Sequence, residues 1–143
     1  MRKYTVEVKV TFRAGHRLTP PYSGKCQSPH GEGYTAIIFL SGSQLDERGM
    51  ILDFGTLKQQ IKHWIDEHWD HSYIHHKNDK VGLWLKDNGF KTYALSQNPT
   101  AEYMAEILFD IIKLNISKKV VKVGIVESFS DSVAWYEETN ESV

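Results

Sequence analysis

The length, composition and charge of the chain predict one soluble globular domain. It has 143 residues, of which 41% are hydrophobic, and a formal net charge of -1, so we expect residues 1–143 to form one domain around a single core. No apolar run approaches the length that crosses a bilayer, and no lysine or arginine block marks a nucleic-acid surface. We therefore expect neither a membrane nor nucleic acid among its partners. The lone Cys26 excludes an internal disulfide and suits a reducing compartment, which predicts a cytoplasmic protein.

The first element is a strand that ends near His16. Apolar side chains from Tyr4 to Phe12 alternate with polar ones from Thr5 to Arg13, the period-two pattern of a half-buried strand. Carried forward, this parity places His16 on the apolar side, unless Gly15 marks a bulge that shifts it.

A second segment carries further candidate ligands. His30 and Glu32 are two residues apart and precede the strand-forming residues 34–40, so in an extended backbone both side chains leave the same face. With His16, they make a plausible three-ligand set for a catalytic zinc that keeps a fourth position open. In the alternative interpretation, both histidines are hydrogen-bonded sheet residues and Glu32 is solvated.

The remaining elements predict an α+β fold. One helix follows Asp53 and Thr56, which are both available as its cap, and a second begins at Asn98-Pro99-Thr100. Residues 72–97 between them look like a polar loop with a short irregular or helical piece, and residues 120–136 like a terminal hairpin. We expect a four-stranded antiparallel sheet with two helices packed on one face. Because residues 34–40 are apolar on both sides, a partner subunit or a ligand is expected to cover the other face.

The chain resembles the family of 6-pyruvoyl tetrahydropterin synthase and 6-carboxy-tetrahydropterin synthase along nearly its whole length. Each motif alone is weak, but their order and spacing together are specific. The motifs that carry the resemblance are Phe12 to Arg17, Cys26 with His30-Gly31, Gly49 to Phe54, Asp70-His71, Asn98 to Glu102 and Val126 to Ser128. The resemblance implies the tunnelling fold, with subunits closing their sheets into a barrel, commonly as two stacked trimers.

The resemblance also implies the roles of individual residues. Its zinc is bound by three histidines, of which His16 and His30 match two, while Glu32 replaces the third and is expected to make the metal a weaker Lewis acid. Cys26, Asp70 and His71 match the proton-transfer residues. Glu127 matches the glutamate that anchors the pterin ring. Taken alone, Cys26 is also consistent with a small buried filler, Asp70-His71 with a helix C-terminus and Glu127 with a surface glutamate.

The function that the resemblance implies is a zinc-dependent lyase acting on 7,8-dihydroneopterin triphosphate. We expect 6-carboxy-5,6,7,8-tetrahydropterin as the product, as in the deazapurine and queuosine route, with 6-pyruvoyl-tetrahydropterin as the alternative. The rival functions are those of a non-catalytic pterin- or metal-binding homologue, because of Glu32, and of a purely structural oligomeric module. A second histidine group is interpreted as solvated side chains rather than as a rival metal site; it comprises His63, His68, His75 and His76.

Overall fold

The structure is a computed structural model that describes residues 2–128 and 130–139. The strands are β1 (Tyr4–His16), β2 (His30–Gly42), β3 (Tyr73–His76), β4 (Thr92–Leu95), β5 (Val120–Val126) and β6 (Ala134–Glu137). The helices are α1 (Phe54–His68), α2 (Lys80–Asp87) and α3 (Ala101–Asn115), and a 3-10 turn covers Lys25–Gln27. None of the described helices is long and apolar enough to span a membrane.

All six strands form one mixed sheet in the order β4-β3-β1-β2-β5-β6. Strands β1 and β2 are a long antiparallel pair whose register runs unbroken to Gly15 opposite Gly31 and His16 opposite His30, so no bulge occurs at Gly15. Strands β5 and β6 form the predicted terminal hairpin. Strands β3 and β4 run parallel to each other and to β1.

The core lies between one face of the sheet and helices α1 and α3. Asp53 caps α1 by accepting from the N–H groups of Gly55 and Thr56, and Thr100 caps α3 by accepting from that of Tyr103. The apolar faces of both helices pack against the inward side chains of β1, β2 and β5. His16 is 2% exposed on this side, which confirms the predicted parity of β1. The larger buried side chains of this core include Tyr34, Ile38, Ile61, Trp69, Leu108 and Ile125.

The predicted four-stranded, two-helix architecture is wrong in its counts. Residues 72–97, which we expected to be a polar loop followed by a short irregular or helical piece, contain the strands β3 and β4 as well as helix α2. Strands β3 and β4 have only four residues each, too few to show a clear alternation. Their parallel pairing also depends on β1, which is distant in sequence, and local patterns do not report such pairings.

Helix α2 packs on the opposite face of the sheet from α1 and α3. Gly82 lies directly on the His75 ring, because a Cβ atom there would meet His75 Nδ1 at 2.2 Å. On the same outer face, Trp135 of β6 packs against Phe39 of β2, with their ring centroids 5.6 Å apart. The chain itself therefore covers part of the surface that we expected a partner or ligand to cover.

Candidate metal and proton-transfer site

The paired ends of β1 and β2 bring three potential metal ligands together. Antiparallel register sets His16 opposite His30 and Ala14 opposite Glu32, so the three functional side chains share the inner face. The Nε2 atoms of the two histidines are 3.0 Å apart, and Glu32 Oε1 lies 3.1 Å from His30 Nε2 and 3.9 Å from His16 Nε2. Among the described residues, this is the only group of three or more His, Cys, Asp or Glu side chains with this spacing.

Hydrogen bonds to the backbone fix how both imidazoles are oriented. His16 Nδ1 lies 3.0 Å from the Pro99 carbonyl and His30 Nδ1 lies 2.7 Å from the Ser28 carbonyl. A carbonyl oxygen only accepts, so each Nδ1 carries the proton and donates it. In the neutral rings the Nε2 lone pairs then point at each other. Carbonyl partners of this kind orient the histidine ligands of protein metal sites.

The chemistry of this donor set fits a divalent metal ion. Burial, as the largest cause, lowers the pKa of His16 even though the Pro99 hydrogen bond and Glu32 act to raise it. His16 is therefore neutral near pH 7, the form that binds metals. Two facing lone pairs and a carboxylate repel one another without a cation between them. Their separations of 3.0 to 3.9 Å bracket the edge of about 3.3 Å that a tetrahedral zinc site needs with Zn–N bonds of about 2.0–2.1 Å.

Cys26 lies in the 3-10 turn of residues Lys25–Gln27, in the connection between the two ligand-bearing strands. Its side chain is partly exposed, and its carbonyl accepts from the N–H of Leu18 at 2.8 Å. The thiol is close enough to the Tyr22 hydroxyl to raise the pKa of Tyr22. Cys26 is thus accessible for chemistry, unlike a buried filler.

Asp70 and His71 follow α1 and are attached to β1. Asp70 Oδ1 accepts from the Arg13 N–H at 3.0 Å, and the His71 N–H donates to the Arg13 carbonyl at 2.6 Å. Partial burial acts to raise the pKa of Asp70, but the Arg13 N–H, the His71 imidazole and the positive charge of Lys91 lower it overall. Asp70 Oδ2 is 2.8 Å from His71 Nδ1, so a carboxylate orients the imidazole and leaves Nε2 free.

His71 shares a cavity with one member of the metal group. Its backbone has a φ of 59°, a conformation that a non-glycine residue rarely adopts and that is often found at functional sites. Its side chain is 78% exposed. It lines a cavity of about 730 Å³ together with Arg13, Gly33 and the proposed ligand Glu32. His16 and His30 do not line this cavity.

Glu127 follows the end of β5 and lies near the metal group. Val123 and Ile125, which share its parity, are completely buried on the inner face. Burial is the largest cause that raises the pKa of Glu127, and the negative charge of Glu32 adds to it. Glu127 also lines a separate cavity of about 440 Å³ with Glu102 and Ala134. A carboxylate in this setting can accept two parallel hydrogen bonds from a ligand edge.

The second histidine group does not assemble. His63 is exposed and pairs with Glu67, whereas His68 packs against Trp64. His75 is buried beneath α2, with its Nδ1 atom bonded to the His76 carbonyl. Only His16, His30 and Glu32 are close enough together to share an ion within residues 2–128 and 130–139.

Comparison with known proteins identifies the family. The model of the 6-pyruvoyl tetrahydropterin synthase family matches residues 5–139. The chain belongs to this family. Family membership makes it a tetrahydropterin synthase, an enzyme of the lyase class.

Individual relatives agree with this assignment. The chain is 42% identical over 99 residues to a 6-carboxy-5,6,7,8-tetrahydropterin synthase of Rickettsia bellii, covering 68% of this chain and 71% of that one. It is 28% identical to the enzyme of the same name from Aquifex aeolicus, covering 95% and 99% of the two chains. Its fold matches the 6-pyruvoyl tetrahydropterin synthase of Caenorhabditis elegans with a TM-score of 0.72 at 25% identity, over 97% and 98% of the chains.

The structure adds site residues that the sequence did not identify. Tyr34 is buried, and its hydroxyl lies 3.2 Å from His16 Nδ1. It has the same strand parity as His30 and Glu32, which is the one signal that would have placed it there. No sequence signal marks the carbonyls of Pro99 and Ser28 as hydrogen-bond partners, because every residue type has a backbone carbonyl.

Proposed function

We propose that this tetrahydropterin synthase is a zinc enzyme that converts 7,8-dihydroneopterin triphosphate into 6-carboxy-5,6,7,8-tetrahydropterin. The observation that carries the proposal is the group of His16, His30 and Glu32, in which backbone carbonyls hold both Nδ1 protons and both Nε2 atoms face the carboxylate. When bound, the zinc would polarise the side-chain oxygens of the substrate and lower the cost of removing the adjacent carbon-bound proton.

The other residues have separate roles in this proposal. Cys26 and His71 transfer protons, since a thiolate can accept one at a substrate carbon and an imidazole can relay one. Asp70 orients His71 through the 2.8 Å contact. Glu127 holds the pterin by accepting from its amino-pyrimidinone edge. Its position at the buried end of β5 supports this role, because a carboxylate there benefits from a polar partner.

The names of the relatives favour one of the two candidate products. The Rickettsia bellii and Aquifex aeolicus proteins are named 6-carboxy-5,6,7,8-tetrahydropterin synthases. The name of the Caenorhabditis elegans structure, 6-pyruvoyl tetrahydropterin synthase, favours the second candidate product. Incubating the purified protein with 7,8-dihydroneopterin triphosphate and identifying the pterin by mass distinguishes the two. Recovery of unchanged substrate would instead support a non-catalytic homologue.

Assembly is part of the proposal. His71 and Glu32 line one cavity, but His16 and His30 of the same chain do not line it. A neighbouring copy that supplies His71 would bring all of these side chains to one substrate molecule, so we propose a homo-oligomer, a dimer of trimers. A monomeric mass by light scattering at micromolar concentration would contradict it.

The metal assignment is tested with two variants. Replacing His16 and His30 together with alanine should abolish stoichiometric zinc, while the matched control with alanine at His63 and His68 should retain it. Glu32→His supplies a neutral imidazole and should bind zinc more tightly without changing the fold, because nitrogen ligands suit zinc well. Unchanged zinc affinity in Glu32→His would exclude Glu32 as a ligand. If the native protein prefers iron, the two-histidine, one-carboxylate set accounts for that preference.

A further inference from the structure

A buried ion pair lies beside the proposed site and has no part in the mechanism described so far. The Asp79 side chain is completely buried and accepts three hydrogen bonds, from Arg17 Nε at 2.9 Å, the Tyr73 hydroxyl at 2.8 Å and the Val81 N–H at 3.0 Å. A buried carboxylate is costly unless a cation and hydrogen bonds compensate it. Asp79 therefore fixes the guanidinium of Arg17 in one place.

Arg17 links this buried carboxylate to the turn that carries Cys26. It directly follows His16, and its Nη1 donates to the Gln27 carbonyl over a long contact of 3.4 Å. The next residue, Leu18, donates its N–H to the Cys26 carbonyl at 2.8 Å. Two consecutive carbonyls of the turn are thus bonded to the segment that leaves the metal group.

Besides these two bonds, the turn has hydrogen bonds within residues 24–28 and the contact between the Cys26 thiol and Tyr22. None of its three residues is buried, so core packing does not fix its position. A guanidinium can donate from Nε to one acceptor and from Nη1 to another at the same time, whereas the single ammonium of lysine cannot reproduce that planar fork. Arg17 is suited to connect a rigid carboxylate with an exposed turn.

We infer that Asp79 and Arg17 are positioning residues, which hold the turn carrying Cys26 beside the metal group. This inference rests on the proposed catalytic role of Cys26. Asp79 also caps α2 by accepting a hydrogen bond from the Val81 N–H. If Asp79 had only a structural role, this cap would be its whole contribution to the fold. The two roles differ in one respect: only positioning makes the exposure and reactivity of Cys26 depend on Asp79.

The first test measures alkylation of Cys26 by iodoacetamide. Cys26 is the only cysteine, so the mass shift reports this position alone. In folded Asp79→Asn and Arg17→Lys, the turn should open more often, and alkylation should be faster by about tenfold, the scale of losing a charge-assisted hydrogen bond. Asp53→Asn, which removes the charge from the cap of α1, is the matched control and should react like the wild type. Unchanged rates in both test variants would overturn the inference.

The second test measures turnover. In both variants kcat should fall by about tenfold while KM changes by less than about twofold, because the substrate contacts remain but the proton-transfer group is misplaced. A rise in KM with kcat intact would contradict positioning. If Asp79→Asn does not fold, Arg17→Lys keeps a cation beside Asp79 and carries both tests. If the wild type has no turnover, the proposed function fails, while the alkylation result still decides whether the pair holds the turn.

Discussion

At the scale of single residues, the groups proposed for proton transfer and for ligand binding lie in different environments. Cys26 lies on a turn in which no residue is buried. Glu127 lies just after the end of β5, and burial raises the pKa of its carboxyl group. Their environments differ as their proposed roles do. A thiol that transfers protons needs access to the substrate, and a carboxylate that anchors a ring needs a fixed, partly desolvated position.

Substitutions of these two residues should therefore impair different properties, turnover in one case and pterin binding in the other. Cys26→Ala should leave pterin affinity nearly intact and lower turnover by about a hundredfold or more, the usual scale for a lost general acid or base. Glu127→Gln replaces an acceptor with a donor and should weaken binding by roughly 1.5 to 3 kcal/mol. Calorimetric titration with a neopterin analogue, together with steady-state rates, measures both. Loss of binding in Cys26→Ala, or unchanged affinity in Glu127→Gln, would refute these roles.

The carboxylate of Asp70 should make the free energy of unfolding depend on pH. Its pKa is lowered from the ordinary 3.8 in the folded chain, so its ionised form stabilises the fold above pH 3.8, and that contribution is lost as the pH falls through the folded pKa. Asp70→Asn should lower the free energy of unfolding by roughly 1 kcal/mol at pH 7, the scale of one hydrogen bond. The difference from wild type should shrink below pH 4. Denaturant titrations of both proteins at pH 3 and pH 7 measure it, and a constant difference would contradict the argument.

At the scale of elements, sequence patterns predicted what depends on local periodicity. The long alternation of β1 predicted that strand, and the signals at Asp53 or Thr56 and at Asn98-Pro99-Thr100 predicted the two helices that follow Asp53 and Thr100. The same periodicity placed His16 on the buried face. It missed β3 and β4 because these short strands are defined by parallel pairing with β1 across a large sequence distance.

The site, like the fold, was predictable only where it depends on local strand parity. His30 and Glu32 could be paired from strand parity alone, but the approach of His16 depends on the register of the β1–β2 pair. The pairing of Arg17 with Asp79 depends on helix α2, which the sequence showed only as a short irregular or helical piece. Long-range contacts of this kind follow from tertiary structure and leave no periodic signal.

The packing of helix α2 can be tested by a substitution at Gly82. Gly→Ala in a helix normally stabilises by about 1 kcal/mol. At Gly82, however, the new Cβ would meet the buried His75 ring, so overpacking should reverse the sign and destabilise by roughly 1–3 kcal/mol. Gly31→Ala is the control, because a Cβ there meets no atom within 4 Å. Chemical denaturation compares the two, and a stabilised Gly82→Ala would show that α2 packs elsewhere.

At the scale of the whole molecule, one chain does not bring all of the proposed catalytic groups into one cavity. Helices α1 and α3 cover the face that carries His16 and His30, whereas His71 lines a cavity that includes Glu32 but neither of these histidines. Large apolar side chains also remain exposed on and after α2, including Trp84 at 60% and Phe90 at 57%. Both features are expected of a chain whose surface becomes an interface between copies.

Mixing inactive variants tests whether neighbouring copies share a site. Cys26→Ala and His71→Ala should each be inactive alone. If Cys26 and His71 of one site come from different copies, random mixed oligomers should form one intact site in four and recover about a quarter of the wild-type activity. A mixture of Cys26→Ala with His30→Ala is the control. Those residues are four positions apart and act from one copy, so no site in that mixture is intact. Recovery in the control, or none in the first mixture after refolding together, would contradict the shared site.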